Sequence, residues 1–361
     1  MFLRRTLAAC VIIFWPVGAT PRAEGAVVVV ANRTAAEVRF VLTPARGEPR
    51  PYAVASGDLA AIAVTRAAEI GFDAGPAARA ADRQRRYRVE PNSAYYFADL
   101  PGGLDLKEIG LAAGRDDRNR PDEPQAPAVE AGQPPPRVLT VKILVDQKEV
   151  AVRQAWEKRL RGRIDAASKV LDHVCGVTLK VLAVEEWRSD EAATDVPGLL
   201  ADFERRVPAH PARLAIGFTS QRVADAGDRR IGATRTALHD HILLREWRPP
   251  TEGGRIDVLL HELGHYLGAA HSPEADSVMR PRLGDEPQAR GNARSGFDPV
   301  NALVMNLVAE EVFDRGITRL GAVGPATRFR LREIYGELAR AAPDDPTPAQ
   351  YLRLLDGPPA R

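Results

Sequence analysis

Three histidines and a glutamate stand at spacings that suit a single metal ion. The run reads His-Glu-Leu-Gly-His-Tyr-Leu-Gly-Ala-Ala-His from His261 to His271. Because residues four apart on an α-helix lie one turn above each other on the same face, His261 and His265 can direct both rings to one point. Imidazole nitrogens are common ligands of zinc in proteins. The spacing therefore predicts a zinc site on a buried helix.

Gly268 gives the third histidine a route to the same ion. Glycine tolerates a positive φ, so the helix can stop at Gly268 and the chain can turn back under the metal. His271 then approaches from below, whereas a helix continued through residue 271 would carry that ring away. We therefore expect His261, His265 and His271 to be the metal ligands and Zn²⁺ to be the cofactor.

Glu262 supplies the group that would make such a site catalytic. Three neutral nitrogen ligands leave zinc one open position, as in catalytic zinc sites and unlike structural ones. Water in that position has its pKa lowered to about 7, and Glu262 can accept its proton as general base and pass it to a leaving amine. A lone histidine is usually a core residue. The whole set in register predicts metal-assisted hydrolysis of a peptide bond.

The residues after the motif carry a family resemblance. Ser272 directly follows the third histidine, and Ser277-Val278-Met279-Arg280-Pro281 comes shortly afterwards. With the extended zinc motif, they resemble the metzincin clan of zinc endopeptidases, and within it the matrixin branch. The resemblance implies that Met279 forms a turn beneath the zinc without being a ligand. It also implies that Pro281 lines the substrate pocket, and because Pro281 stands where other branches carry a tyrosine ligand, no fifth protein ligand is expected.

Two features of animal matrixins are not evident in this chain. Their zymogens are silenced by a pro-peptide cysteine, but Cys10 and Cys175, the two cysteines here, lie in no such segment. No cysteine switch is therefore expected. Additional metal loops are not clearly present either. His239-Asp240-His241 precedes an apolar run, and is either a remnant metal site or a set of exposed residues at the start of a strand.

Residues 1–25 have the features of a signal peptide. Arg4 and Arg5 precede an apolar stretch at 7–19 that is shorter than the ~20 residues of a membrane-spanning helix. The mature protein is therefore expected to be exported to the periplasm, the cell surface or the medium, with no membrane span. Cys10 would leave with this segment, and Cys175 would remain as a buried, inert thiol.

Residues 26–112 predict a small β-sandwich-like domain, because short β-like runs are separated by proline, glycine and asparagine. The runs lie at 26–30, 38–42, 59–64, 87–90 and 94–98. The role of this domain is open between an inhibitory pro-segment, an adhesion module and a structural brace. Residues 113–137 are polar and proline-rich, which is typical of a linker and of a site for proteolytic nicking.

Residues 138–342 predict the catalytic domain, and with it an α+β fold class. A backing helix is expected at 149–173, before the zinc helix. The expected strands of one twisted mixed sheet lie at 138–146, 177–184, 214–218, 230–236 and 241–247. This order is similar to metzincin architecture, which places a Met-turn and C-terminal helices after the zinc helix.

The end of the chain predicts two further helices and a tail. An added helix is expected at 298–315, and residues 329–336 resemble the C-terminal helix of matrixin domains. Residues 343–361 are predicted as a C-terminal tail, within which a last short helix is expected at 351–355. In the metzincin layout an edge strand, assigned to about 229–236, would pair with an extended substrate.

The formal net charge is +2, with acidic and basic residues interspersed, which gives nucleic-acid binding little support. The sequence thus favours an exported zinc-dependent endopeptidase that acts on a protein or peptide substrate through a zinc-bound water activated by Glu262. Two alternatives stay open. One is a peptidase-like protein that holds metal for binding alone, and the other is a zinc amidase acting on cell-wall material. Nothing in the sequence indicates an oligomeric state.

Overall fold

The computed structural model describes residues 26–110, 137–222, 231–247, 251–281 and 296–357. The expected signal peptide and residues 113–136 of the expected linker lie outside these ranges. Two four-stranded sheets occupy the first range, and one five-stranded sheet with six α-helices occupies the others. None of the helices in these ranges is long and apolar enough to cross a membrane.

The first range folds into two sheets with the strand orders β4-β1-β7-β8 and β3-β2-β5-β6. All five expected strands are present, and β3, β5 and β8 are additional. The strands are β1 Val27–Asn32, β2 Val38–Pro44, β3 Arg50–Val54, β4 Leu59–Ala63, β5 Ala68–Asp73, β6 Gln84–Val89, β7 Ser93–Leu100 and β8 Gly103–Glu108. Apolar side chains from both sheets share one core, so residues 26–110 form a sandwich.

Strand β1 is apolar on both faces. Val28 and Val30 belong to the core between the two sheets, whereas Val29 and Ala31 belong to the core of the second half of the chain. A strand that is buried on both faces has apolar residues at every position instead of at alternate ones, which explains the sequence Val-Val-Val-Val-Ala. The first sheet of the sandwich is therefore packed against the rest of the protein.

The five-stranded sheet has the order β10-β9-β11-β13-β12. Its first four strands are parallel. The edge strand next to β13 is β12, which runs antiparallel to it, and β10 forms the other edge. The strands are β9 Arg137–Asp146, β10 Val177–Trp187, β11 Leu214–Thr219, β12 Gly232–Ala233 and β13 His241–Arg245. The sheet is thus mixed, as expected. Strand β12 is much shorter than the sequence predicted, because only two residues of the expected 230–236 pair with β13.

Helices cover both faces of this sheet. The helices of the second half are α1 Arg153–Cys175, α2 Val196–Arg206, α3 Glu252–Tyr266, α4 Pro299–Asp314, α5 Pro325–Ala341 and α6 Pro346–Leu355. The apolar face of α1 packs on one side of the sheet as predicted, and α2, which was not predicted, covers the other. Cys175 ends α1 in the core, and burial raises the pKa of its thiol to about 12.

Helix α4 lies between the two halves of the molecule. It contacts β1, β4 and β7 of the sandwich, and also α1, α5 and β9. Because neighbours surround it, nearly every residue of α4 is buried, and the helix is apolar all round. On the side of α4 that faces α1, the Asn306 side chain donates a hydrogen bond to the carbonyl of Val174, at 2.8 Å, and on its other side the buried Val29, Ala31, Leu59 and Ala94 of the sandwich belong to the same core. The sandwich and the second half therefore share one continuous core.

Polar contacts cross the same interface at its margins. Arg33 of the sandwich pairs with Glu274, in the loop after His271, at 2.5 Å. The Arg330 side chain of α5 donates a hydrogen bond to the carbonyl of Asn92, at 2.7 Å. Since Glu274 lies between the third histidine and Met279, the sandwich contacts the loop that closes the candidate site.

Candidate metal centre

Helix α3 carries the first two histidines, and its start is held firmly. The Thr251 hydroxyl accepts a hydrogen bond from the amide of Gly254, which is a standard N-terminal cap. The fully buried guanidinium of Arg163, from α1, pairs with Glu252 at 2.7 Å and with Glu246 at 2.5 Å. A helix anchored in this way presents its side chains at defined positions.

The ring nitrogens of His261 and His265 meet on one face of α3. Their Nε2 atoms lie 3.1 Å apart. After α3 ends, Gly268 adopts a φ of +86°, and the chain turns back so that His271 faces the other two rings. The ring centre of His271 lies 5.4 Å from that of His261 and 4.9 Å from that of His265. One ligand atom from each of the three side chains lies within 4.8 Å of the others.

Gly268 is required here for its lack of a side chain as well as for its backbone angle. A Cβ atom at this position would lie 3.0 Å from the Tyr335 hydroxyl and 3.0 Å from Val308. The turn between α3 and His271 is therefore closely packed against α4 and α5.

Each histidine ring is oriented by the nitrogen that faces away from the others. Nδ1 of His261 lies 2.9 Å from the carbonyl oxygen of Val278, and Nδ1 of His265 lies 2.9 Å from that of Ala269. Nδ1 of His271 lies 3.1 Å from the carboxylate of Asp345. These oxygens accept hydrogen bonds, so each Nδ1 carries the hydrogen and each Nε2 keeps a free lone pair. Three convergent imidazole nitrogens fit a zinc ion.

The pKa values of the two helical histidines favour the neutral form. Burial, and then the neighbouring His265, lowers the pKa of His261 well below its ordinary value. Burial, and then the neighbouring His271, lowers the pKa of His265 to about 4. Both rings are therefore uncharged at neutral pH, with a lone pair left on one nitrogen, which is the state that binds metal.

Glu262 directly follows the first histidine on α3 and is covered by strand β12. Its side chain is buried, and a Cβ atom built on Gly232 would lie 2.6 Å from its Oε1 and 2.8 Å from its Cγ. Position 232 therefore has to be glycine for the carboxylate to hold its place, a constraint that the sequence did not reveal.

Gly232→Ala is expected to lower kcat/KM for the proposed peptide hydrolysis by about 10²-fold, because a displacement of about 1 Å in a catalytic group has an effect of that size. Zinc content should not change, since the ligands do not contact residue 232. The matched control is Gly253→Ala, because an added Cβ at Gly253 meets no atom within 4 Å. Wild-type kcat/KM in Gly232→Ala would show that the carboxylate does not depend on this contact.

Met279 packs directly against α3. It is fully buried, and its Sδ lies 2.5 Å from where a Cβ on Gly264 would be. Its carbonyl accepts a hydrogen bond from the amide of Ser272, at 2.9 Å. Met279 thus packs against α3 at Gly264, where the absence of a side chain leaves room for its sulfur atom.

The predicted substrate pocket is described only at its start. Pro281 is exposed at the end of the range 251–281, and the residues directly after it, 282–295, lie outside the described ranges. Arg280 is half-buried, and its guanidinium donates a hydrogen bond to the carbonyl of Ala275, at 2.9 Å. The pocket role of Pro281 therefore stays a prediction.

The second histidine cluster is occupied by contacts within the protein. Ligand atoms of His239, Asp240 and His241 also lie within 4.8 Å of one another. His241, however, contacts the carbonyl of Val207 through Nε2 and Asp240 through Nδ1, at 2.7 and 2.8 Å, and His239 contacts Glu204 at 2.8 Å. These contacts favour the interpretation as residues at the start of a strand, with His241 buried instead of exposed.

Comparison with known proteins found only distant structural similarity. No protein-family model and no curated protein matches the chain. The structure is similar to archaemetzincin from Methanopyrus kandleri, at 15% identity and a TM-score of 0.36, over 49% of this chain and 99% of that one. It is also similar to metalloproteinase-II from Bacteroides fragilis, at 13% identity and a TM-score of 0.37, over 78% of this chain and 98% of that one. The site geometry, and not these matches, carries the functional conclusion.

Sequence reasoning missed the two tyrosines that support the turn after α3. The hydroxyl of Tyr335 donates to the carbonyl of Gly268 at 2.7 Å, and that of Tyr351 lies 3.3 Å from the carbonyl of His265. The last carbonyls of a helix have no partner within the helix, so such donors stabilise its end. No local signal identifies them, because both contacts join residues far apart in the sequence.

Proposed function

We propose that this protein is a zinc-dependent endopeptidase. The observation that carries the proposal is the convergence of three imidazole nitrogens, on rings each fixed through Nδ1, on and after a helix that also carries the buried carboxylate of Glu262. Zinc would be held by His261, His265 and His271. When bound, it would lower the pKa of water in its open position and polarise a carbonyl group as a Lewis acid.

Glu262 would move the proton in this reaction. Its carboxylate accepts a proton from the attacking water while the water oxygen bonds to the carbonyl carbon of the substrate. The same carboxylate then gives that proton to the amide nitrogen as the C–N bond breaks, so an acid and an amine leave. Burial under β12 excludes bulk water from Glu262 and keeps it at a defined position.

Strand β12 offers a way to align an extended substrate. It is one of the two edge strands of the described sheet, and it lies directly over Glu262. A peptide that paired with its outer side would pass beside the histidines in an extended conformation. This arrangement supports a protein or peptide as the substrate.

The finer parts of the proposal rest on the sequence. Ser272, Met279 and Pro281 support the matrixin-like branch, and the composition of residues 1–25 supports export. A protein that held metal for binding alone would have no need of a buried carboxylate beside the ligands. The retained Glu262 therefore favours an enzyme over a binding protein.

The test is to purify the chain from residue 26, measure its zinc, and incubate it with unfolded proteins and, separately, with peptidoglycan. We expect internal peptide bonds to be cleaved, as located by mass spectrometry of the products. A chelator should abolish cleavage and added zinc should restore it. Zinc bound without cleavage of any protein would contradict the endopeptidase, and amide release from peptidoglycan alone would favour the amidase instead.

A further inference from the structure

The C-terminal segment, residues 344–357, contacts the metal centre. The sequence predicted a tail with a last short helix at 351–355; the helix, α6, begins earlier, at Pro346, and packs on α5. Asp345 contacts His271. Gln350 donates a hydrogen bond to the carbonyl of Arg235, just after β12. The hydroxyl of Tyr351 donates to the carbonyls of His265 and Ala269. One short segment thus contacts the third histidine, the turn after α3 and the chain beyond β12.

Asp345 is fixed in a defined position by its own surroundings. Its Oδ1 lies 3.1 Å from Nδ1 of His271 and accepts a hydrogen bond from the amide of Thr347, at 3.0 Å, as the N-terminal cap of α6. The side chain is only 7% exposed. Its Oδ2 is buried and has no hydrogen-bond partner in the described part of the chain. A buried carboxylate oxygen left without a partner has an energetic cost. The cost indicates that the carboxylate is placed for the contact between its other oxygen and His271.

His271 depends on this contact more than the other histidines depend on theirs. His261 and His265 project from the same helix, and the oxygens that orient them belong to the backbone. His271 follows a glycine turn, is 24% exposed, and is oriented by a side chain 74 residues away. Without that side chain, the ring would be free to rotate and its Nε2 would leave the common point.

We propose that Asp345 is a positioning residue of the metal centre, which holds His271 ready for metal and makes metal retention depend on the C-terminal segment. A carboxylate on the far nitrogen of a ligating histidine fixes its tautomer and orientation and raises its basicity. The inference rests on the metal centre of the proposed function, but not on its reaction.

The experiment compares the zinc affinity of Asp345→Ser, Asp345→Asn and Asp344→Ser with that of the wild type, by competition with a chromophoric chelator. Serine keeps the cap of α6 but is too short to reach His271, whereas asparagine keeps an acceptor oxygen. Asp344 is an exposed neighbour of the same type. We expect affinity to fall 10- to 100-fold in Asp345→Ser, a range typical of such partners, less in Asp345→Asn, and not at all in Asp344→Ser.

A second measurement separates positioning from a general effect on folding. The variants are repeated in a His271→Ala background, where Asp345→Ser should have no further effect on zinc affinity, because the ring on which it acts is gone. The visible spectrum of the Co²⁺-loaded protein should change in Asp345→Ser and be restored towards wild type in Asp345→Asn. An equal loss of affinity in the His271→Ala background, or wild-type affinity in Asp345→Ser, would overturn the proposal.

Metal binding is measured here without any substrate, so the two proposals can fail separately. If Asp345→Ser loses zinc through His271 and the wild type cleaves no protein, the positioning role stands and the endopeptidase falls. If the wild type cleaves proteins and Asp345→Ser binds zinc as tightly as the wild type, the positioning role alone is wrong. A wild type with no affinity for zinc would overturn both.

Discussion

Glu262→Gln is expected to lower kcat/KM for peptide hydrolysis by about 10²–10⁴-fold, the usual contribution of a general base. Glutamine has nearly the same shape, so it fits the space under Gly232, but its amide cannot accept the proton of water at neutral pH. The three histidines are untouched, and zinc content should stay at the wild-type level. Metal analysis checks the zinc content, and steady-state kinetics on one unfolded protein substrate checks the fall in kcat/KM.

Glu186→Gln provides the matched control, because Glu186 is 61% exposed on β10. It should cleave as fast as the wild type. Equal cleavage by Glu262→Gln and the wild type would show that the base is misassigned. Loss of zinc in Glu262→Gln would instead show that this side chain supports the metal site.

Removal of residues 26–110 is expected to make the remaining chain aggregate. Burying one valine or leucine side chain contributes ~1.5–3 kcal/mol, and a whole domain is stable by only about 5–15 kcal/mol. The removed side chains that share the core with α4 are Val29, Ala31, Leu59 and Ala94. Their loss exposes an apolar helix face and costs a large part of that stability. Size-exclusion chromatography of a chain that begins at residue 137 gives the direct measurement.

A cut in the linker should have a very different result. With a protease site introduced within 113–137, the two cleaved pieces should elute together and keep full activity. Val29→Asp, inside the interface, should separate them, whereas Val41→Asp should not, because Val41 is 40% exposed on the other sheet. Loss of activity on separation would favour a structural brace, whereas activity that rises when the pieces separate would identify the sandwich as an inhibitory pro-segment.

Local spacing was enough to predict the core of the site. His261 and His265 follow helical periodicity, and the φ of Gly268 is one that glycine adopts readily, so the return of His271 could be inferred from the sequence. The partners that hold these groups could not be inferred. Gly232 and Asp345 act across the fold, and neither has a neighbour in sequence that indicates its contact.

The missed elements have specific physical causes. Strand β3 contains Pro51, which argues against a central strand but is tolerated at an edge, and β3 is an edge strand. Helix α2 is short, and its first turn contains Pro197 and Gly198, so it resembles a loop. Helix α6 was expected only at 351–355, because Pro346 and Pro348 argue against a helix, but Asp345 caps it and a proline is tolerated in the first turn, so it begins at Pro346. Each error came from a local signal that the tertiary structure overrides.

The position of α4 also sets an order of events during synthesis. The sandwich leaves the ribosome first and can close its inner core alone, but the outer face of β1 stays bare until residues 299–314 follow. Contacts between such distant parts of a chain form slowly, and uncovered apolar strands promote aggregation in the meantime. The nascent protein therefore carries an exposed apolar surface on β1 from the synthesis of the sandwich until α4 has been made.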